Sequence, residues 1–234
     1  MMNKQTGGQA TSFFDREMAE SYDERNSSLS PISENMHFLI RLVLEHLPAE
    51  ATILCVGAGT GAEILSLARD NPSWRFVAVD PSAEMLEVCR KKLIEEELLD
   101  RCDLIHGHVT DAPTGPGFHA ALSILVAHFV PREKRAQFYR DIHGRLKPGG
   151  RFISTEICFD LDSPELPHML RNWERIQVRS GASRESLDKL PEMLRNTLCV
   201  LGPEETMQAL ESTGFNSMLR FFQAFMISGF QAVK

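Results

Sequence analysis

A short apolar run, residues 53–56, leads directly into glycines at 57, 59 and 61 and then into a segment with helical periodicity. A strand that ends in such a turn brings unpaired backbone N–H groups to the first turn of a helix, where they attract polar or anionic ligands. Glycine also lets a ligand come close to the backbone. The segment therefore predicts a strand–turn–helix unit whose turn holds a cofactor.

Strand-like and helical segments alternate after this turn. The predicted strands are residues 52–56, 76–80, 103–109 with its exit loop, 120–126 and 151–155. Such alternation is typical of parallel sheets with right-handed crossovers. Residues 218–223 and 225–233 are joined too closely for a crossover, so they predict an antiparallel hairpin. The predicted fold class is α/β, with a doubly wound, mostly parallel sheet and an antiparallel C-terminal strand.

Composition sets the number of domains. The chain has 234 residues, 43% of them apolar, which suffices for the core of one larger α/β domain. We expect residues 1–12 to be a mobile N-terminus and residues 13–234 to form that domain. A helical insertion at about 160–200 is expected to cover the substrate. The five cysteines lack CxxC spacing, so we predict no disulfide framework and no metal site.

The charge balance disfavours two classes of partner. The formal net charge is −7, and there is neither a signal-like apolar segment nor an apolar run long enough to span a bilayer. We expect a cytoplasmic protein with no membrane partner. Basic residues are frequent between 132 and 151, but acids intervene and stacking aromatics do not alternate with them. This is more typical of a solvated helix face than of a nucleic-acid surface.

The glycines alone leave the cofactor open. Gly57, Gly59 and Ala62 also fit the G-x-G-x-x-A fingerprint of dinucleotide-binding folds. Asp80, at the end of the second predicted strand, is suited to hold ribose hydroxyls in either case. The C-terminal hairpin stands where a dinucleotide fold would need a second nucleotide-binding half. A single adenosine is therefore the favoured ligand.

Three motifs together resemble class I S-adenosylmethionine (SAM)-dependent methyltransferases, and the resemblance covers nearly the whole chain. They are residues 56–63, 79–86 and 146–150. The resemblance implies a seven-stranded sheet with an antiparallel last strand, SAM as cofactor and S-adenosylhomocysteine (SAH) as product. It places Gly57, Ala58 and Gly59 near the methionine part of SAM, Asp80 on the ribose and Met85 on the adenine.

The adenine loop departs from the family pattern. Many relatives carry Gly-Asp where this chain has residues 107–111. Two alternatives follow, because an amino donor needs an unprotonated acceptor. Either His108 accepts through a neutral ring nitrogen or Asp111 takes over, with Val109 between them in the cofactor-binding loop.

Within that family the chain looks most like the carboxy-SAM synthases, which attach a carboxylate to SAM with prephenate as carbon dioxide donor for modification of tRNA wobble uridine. The resemblance lies in residues 14–15, 19–20, 22, 31, 193–196 and 213–225. Relatives have a basic residue suited to a carboxylate where this chain has Leu190, Pro191 and Glu192. Ordinary methyl transfer to a small molecule is therefore favoured. A carboxy-SAM synthase-like enzyme and a non-catalytic SAM-binding protein are the alternatives.

Three further residues are candidates for the site. His128 follows the fourth strand and could act as a general base; the alternative is a buried histidine bonded to backbone. Glu156 follows the fifth strand and could be a base or a substrate anchor, or simply a loop acid. Arg25 could pair with the SAM carboxylate or form a surface salt bridge. Apolar stripes between residues 162 and 198 are compatible with core, a homodimer contact or a substrate cavity.

Overall fold

The computed structural model describes residues 16–115 and 117–234. The predicted mobile segment 1–12 lies outside the described residues, as do the family-like residues 14–15. The α-helices are α1 (Arg16–Asn26), α2 (Ser30–Leu44), α3 (Ala62–Asp70), α4 (Ala83–Glu95), α5 (Arg132–Arg145), α6 (Leu166–Arg179), α7 (Arg184–Asp188), α8 (Leu190–Glu192) and α9 (Pro203–Glu211). Short 3-10 turns occupy Ser27–Leu29, Leu99–Arg101, Val109–Asp111 and Ala127–Phe129, and a π-helical turn occupies Met193–Thr197.

The strands form one seven-stranded sheet in the order β3-β2-β1-β4-β5-β7-β6. They are β1 (Thr52–Val56), β2 (Arg75–Asp80), β3 (Cys102–His106), β4 (Phe118–Ile124), β5 (Leu146–Ile157), β6 (Asn216–Ala224) and β7 (Ile227–Val233). The first five strands pair in parallel, whereas β7 runs antiparallel to both β5 and β6. The predicted fold class and the C-terminal hairpin are thus confirmed.

Apolar side chains are buried on both faces of the sheet. Alternate residues point to opposite faces of a strand, and on β1 Ile53 and Cys55 join one core cluster while Leu54 and Val56 join the other. The first cluster includes side chains of α2, α3 and α4, and the second includes side chains of α5 and α9. Helices therefore cover both faces, as the doubly wound prediction requires.

The start of β5 differs from the prediction. The fifth strand was predicted at residues 151–155, but β5 already begins at Leu146. The pairing with β4 shifts register between Phe118 and Ala120, and Gly149 has a φ of 75°. The glycine-rich segment is therefore an irregular extension of the strand, and it lies at the amino end of the parallel sheet.

The segment between β5 and α9 is helical and packs on the core. Trp173, Ile176, Leu190 and Leu194 are all buried in the same cluster as Ile40 of α2. The apolar stripes of this segment thus supply core contacts, while its role as a substrate cover stays a prediction. Among the described residues, no helix combines the length and the apolar character needed to cross a bilayer.

Candidate cofactor and catalytic site

The glycine turn lies between the carboxyl end of β1 and the start of α3. Gly57 has a φ of 71°, and a Cβ added there would stand 2.5 Å from a methyl of Val126. The position therefore excludes any side chain. At Gly59, by contrast, no heavy atom of the described residues lies within 4 Å of an added Cβ. The loop backbone at Gly59 is thus open to a ligand, whereas at Gly57 it packs against the loop after β4.

Asp80, the last residue of β2, braces this turn. Its Oδ2 accepts from the Gly59 N–H at 2.8 Å, and its Oδ1 accepts from the Ser82 N–H at 2.8 Å. The residue is 7% exposed, and burial raises the pKa of its carboxyl while these two N–H groups oppose the rise. Each carboxylate oxygen has a second lone pair, so Asp80 can still accept from two neighbouring hydroxyls.

The N-terminal helix α1 is attached to the glycine turn, a contact that sequence reasoning missed. The hydroxyl of Thr60 donates to Asp23 Oδ1 at 2.9 Å, and Lys92 of α4 forms an ion pair with the same carboxylate. We call these three residues the α1 clamp. Asp23 and Thr60 are 37 positions apart, so no local pattern in the sequence could have paired them.

A buried acid lies directly behind the turn. Glu63, in the first turn of α3, is 7% exposed, and burial raises the pKa of its carboxyl to about 8. Burial and the negative charges of Asp23, Glu63 and Asp80 raise the pKa of the Tyr22 phenol. Glu63 was not among the predicted site residues, although a charged residue in an otherwise apolar helix turn is visible in the sequence.

In the adenine loop, Asp111 turns back on its own backbone. Its Oδ2 accepts from the His108 N–H at 2.7 Å, which caps the 3-10 turn Val109–Asp111. A Cβ at Gly107 would lie 2.4 Å from the same oxygen, which explains the glycine. Val109 is buried, and the His108 side chain is exposed. One Asp111 oxygen is thus engaged, and the choice between His108 and Asp111 stays a prediction.

His128 lies in the 3-10 turn after β4 and is almost fully buried. Its Nδ1 accepts from the Ile157 N–H at 3.2 Å, so a neutral ring carries its proton on Nε2. Burial, reinforced by Arg135, lowers the pKa of the ring to about 3. These contacts favour the structural alternative, because the lone pair that a base needs is already used. The base role of His128 stays a prediction.

Glu156 is completely buried near the end of β5. It forms a 2.6 Å ion pair with Arg135 and accepts from the Tyr139 hydroxyl at 3.2 Å. Arg135 also donates to the Cys199 carbonyl at 2.8 Å. Burial raises the pKa of the Glu156 carboxyl, and both partners oppose the rise. The pair favours a structural role; a base or anchor role for Glu156 stays a prediction.

Met85 and Arg25 are two further predicted residues. Met85 lies in the first turn of α4, is buried, and its N–H donates to the Ser82 hydroxyl at 3.1 Å. Arg25 belongs to α1, but its side chain is outside the described part of the molecule. The structure therefore brings together Gly57, Gly59 and Asp80. It does not bring Glu156 to the same surface.

A comparison with known protein families finds a match for the part of the chain that contains the glycine turn and Asp80. Residues 53–150 match the protein family described as "Methyltransferase domain". The strand order and the glycine turn agree with this match. Residues 53–150 of the chain thus resemble a class I methyltransferase domain. The domain match covers β1 to the beginning of β5, so it includes the glycine turn and Asp80.

A curated relative is similar to this chain over almost its full length. The carboxy-S-adenosyl-L-methionine synthase of Klebsiella pneumoniae is 24% identical over 225 residues, which are 94% of this chain and 90% of the relative. The predicted resemblance to the synthase branch of the family is thereby confirmed.

Solved structures share the fold. An O-methyltransferase family protein from Burkholderia thailandensis superposes with a TM-score of 0.66 at 13% identity. Human N-acetylserotonin methyltransferase in complex with SAM superposes with a TM-score of 0.67 at 16% identity. They align with 95% and 98% of this chain, which spans only 61% and 59% of their respective lengths. At this identity the likeness shows the fold alone.

Proposed function

We propose that this protein is a SAM-dependent methyltransferase that transfers a methyl group to a small-molecule acceptor and releases SAH. The observation that carries the proposal is the junction of Gly59 and Asp80. There an open glycine backbone and a buried ribose-type carboxylate are joined by a 2.8 Å hydrogen bond at the carboxyl edge of the sheet. Ligands of open α/β sheets bind at this edge.

The residues present fit SAM as the cofactor. Bound SAM supplies an electrophilic methyl group on a sulfonium. The absence of a side chain at Gly59 leaves room beside the loop, and Asp80 can accept from the ribose hydroxyls. Seen along the sheet, β7 and β6 occupy the place of a second nucleotide-binding half, which favours one adenosine over a dinucleotide.

Methyl transfer requires little acid–base catalysis from the protein. An in-line displacement needs the acceptor held about 3 to 3.5 Å from the methyl group, with water excluded. We assign this positioning to the helical segment Leu166–Thr197, whose buried side chains belong to the same core cluster as those of α2. With His128 bonded to backbone and Glu156 paired with Arg135, the acceptor is expected to enter the reaction without a protein base.

Titration calorimetry with SAM, SAH and NAD tests the cofactor. SAM and SAH are expected to bind and NAD is not; tight NAD binding without SAM binding would overturn the proposal. A panel of oxygen, nitrogen and carbon acceptors, with SAH release as the readout, then tests transfer. SAM binding without turnover on any acceptor would instead favour a non-catalytic SAM-binding protein.

A carboxy-SAM synthase-like enzyme is the second candidate, because the curated relative of that name aligns with 94% of this chain. The structure offers no basic group at the position where the resemblance expects one. Leu190 is buried in the core, and the nearby Arg195 donates to Asp162 and to the Leu161 carbonyl. These residues therefore offer no anchor for a carboxylate, which is our reason for proposing methyl transfer first.

Incubation with SAM and prephenate separates the two candidates. Detection of a carboxylated sulfonium product by mass spectrometry would establish the synthase-like function and overturn the methyltransferase proposal. We expect only unchanged SAM. A mixture with a known carboxy-SAM synthase under the same conditions serves as the positive control.

A further inference from the structure

A basic cleft of about 260 Å³ lies at the opposite edge of the sheet from the cofactor site. His46 follows α2, His119 is the second residue of β4, and Lys147 and Arg151 belong to the irregular start of β5. All four line the cleft, and none of its lining residues is acidic. Among the described residues, neither Lys147 nor Arg151 forms an ion pair. The cleft thus gathers positive charge without compensation from its own walls.

The protonation of His119 is fixed by its surroundings. The backbone N–H of Thr52 points at His119 Nδ1 from 2.9 Å. A backbone N–H can only donate, so Nδ1 must be the unprotonated nitrogen of the ring. A neutral imidazole then carries its proton on Nε2. Burial, followed by the charge of Lys147, lowers the pKa of His119, which agrees with a neutral ring.

This assignment leaves two donors facing each other. The Lys147 ammonium nitrogen lies 2.8 Å from His119 Nε2. An ammonium has three donors and no acceptor, and Nε2 is already a donor, so no hydrogen bond joins them. The arrangement becomes favourable when an acceptor with negative charge accepts from both groups. By contrast, Arg151 donates properly to His46 Nε2 at 3.0 Å.

We propose that this cleft is a binding site for a small oxyanion of the phosphate type, accepting from Lys147, from His119 Nε2–H and from the free N–H groups of Arg151. A phosphate has several acceptor oxygens, so it can accept from all three side chains at once. An ion with only one acceptor atom fits these donors less well. The concave shape and the chain's net charge of −7 favour a small free anion over a polyanionic strand.

The basic run between residues 132 and 151 supports this choice because the structure disperses it. Arg132 pairs with Glu205, Arg135 is buried against Glu156, and Arg145 donates to backbone carbonyls. Only Lys147 and Arg151 of the run line the cleft. A continuous surface for a nucleic-acid backbone does not form from these residues.

Calorimetric titration with inorganic phosphate, at constant ionic strength set with chloride, tests the site. Lys147→Met and Arg151→Met each remove charged donors and keep most of the side-chain length. Lys91→Met, at an exposed position of α4, is the matched control. We expect saturable binding to wild type that weakens about tenfold or more in both cleft variants and changes less than about twofold in the control. SAM affinity and thermal unfolding of each variant verify that the fold is intact.

Three results would overturn the proposal. One is the absence of saturable phosphate binding to folded wild type, and another is an equal loss in all three variants. The third is binding of a single-stranded RNA oligonucleotide in the cleft without binding of phosphate. Because the cleft and the cofactor site lie at opposite edges, each of these results leaves the methyltransferase proposal standing.

Discussion

Single residues decide what the glycine turn can accept. Gly57 and Gly59 look equivalent in the sequence, yet one packs against Val126 and the other faces open space. Asp80 both orders the turn and remains able to accept from a ligand, because its two bonds to backbone use only one lone pair of each oxygen. Glu63 is a buried acid, and burial raises the pKa of its carboxyl to about 8.

Asp80→Asn is expected to weaken SAM binding by roughly 10- to 100-fold, because a charge-assisted hydrogen bond to the ribose becomes a neutral one. Calorimetry measures the change. Asp103→Asn, on an exposed position of β3, should leave affinity unaltered. An Asp80 variant that binds SAM like wild type would show that the ribose is held elsewhere.

Glu63→Gln is expected to stabilise the protein at alkaline pH. The folded-state pKa of about 8 lies above the ordinary value of 4.5. Because the pKa of this carboxyl is higher in the folded than in the unfolded state, its contribution to stability is fully present below pH 4.5. The contribution is lost as the pH rises through about 8. At pH 9 the variant should exceed wild type in unfolding free energy by roughly 2 to 4 kcal/mol, with little difference at pH 4. Urea titrations at both pH values measure it, and a difference independent of pH would refute the burial argument.

At the scale of elements, α1 is connected to the site by few side chains. The α1 clamp links α1 to the glycine turn through Thr60 and to α4 through Lys92. Both Asp23 and Lys92 are partly exposed, so the clamp adds only modestly to global stability. Its main effect is expected on the position of α1 over the turn.

Asp23→Asn is therefore predicted to raise the dissociation constant for SAM about three- to tenfold while shifting the melting temperature by only a few degrees. Glu20→Gln provides the control, because it removes an exposed ion pair with Arg16 in the same helix. Calorimetry and thermal unfolding give the two readouts. Equal effects of both substitutions would mean that α1 acts through helix stability alone.

On the scale of the whole molecule, one buried ion pair joins distant parts of the chain. Arg135 of α5 meets Glu156 of β5 and the carbonyl of Cys199, which precedes α9. Removing one partner of such a pair leaves a buried charge without compensation. The packing of α5 on the sheet and the approach to α9 thus depend on the same contact.

Arg135→Met is predicted to lower the free energy of unfolding by about 3 to 5 kcal/mol. The double variant Arg135→Met/Glu156→Gln should recover much of this loss, because the neutral amide can still accept from Tyr139. Denaturant unfolding measures both. A stable double variant with unchanged turnover would show that Glu156 acts only through structure, and loss of turnover in it would support the predicted catalytic role.

The sequence alone determined the fold class and indicated the core of the candidate cofactor site. Residues 53–61 and Asp80 carry local patterns: an apolar strand, turn glycines and an acid at a strand end. Such patterns can be recognised in the sequence without knowledge of the tertiary structure. The hairpin followed from its short connection, for the same reason. The tertiary structure alone decided which charges meet. The pairing of Glu156 with Arg135, the α1 clamp and the opposed donors His119 and Lys147 all join residues far apart in sequence. Burial then raises the pKa of Glu156 and lowers the pKa of His119.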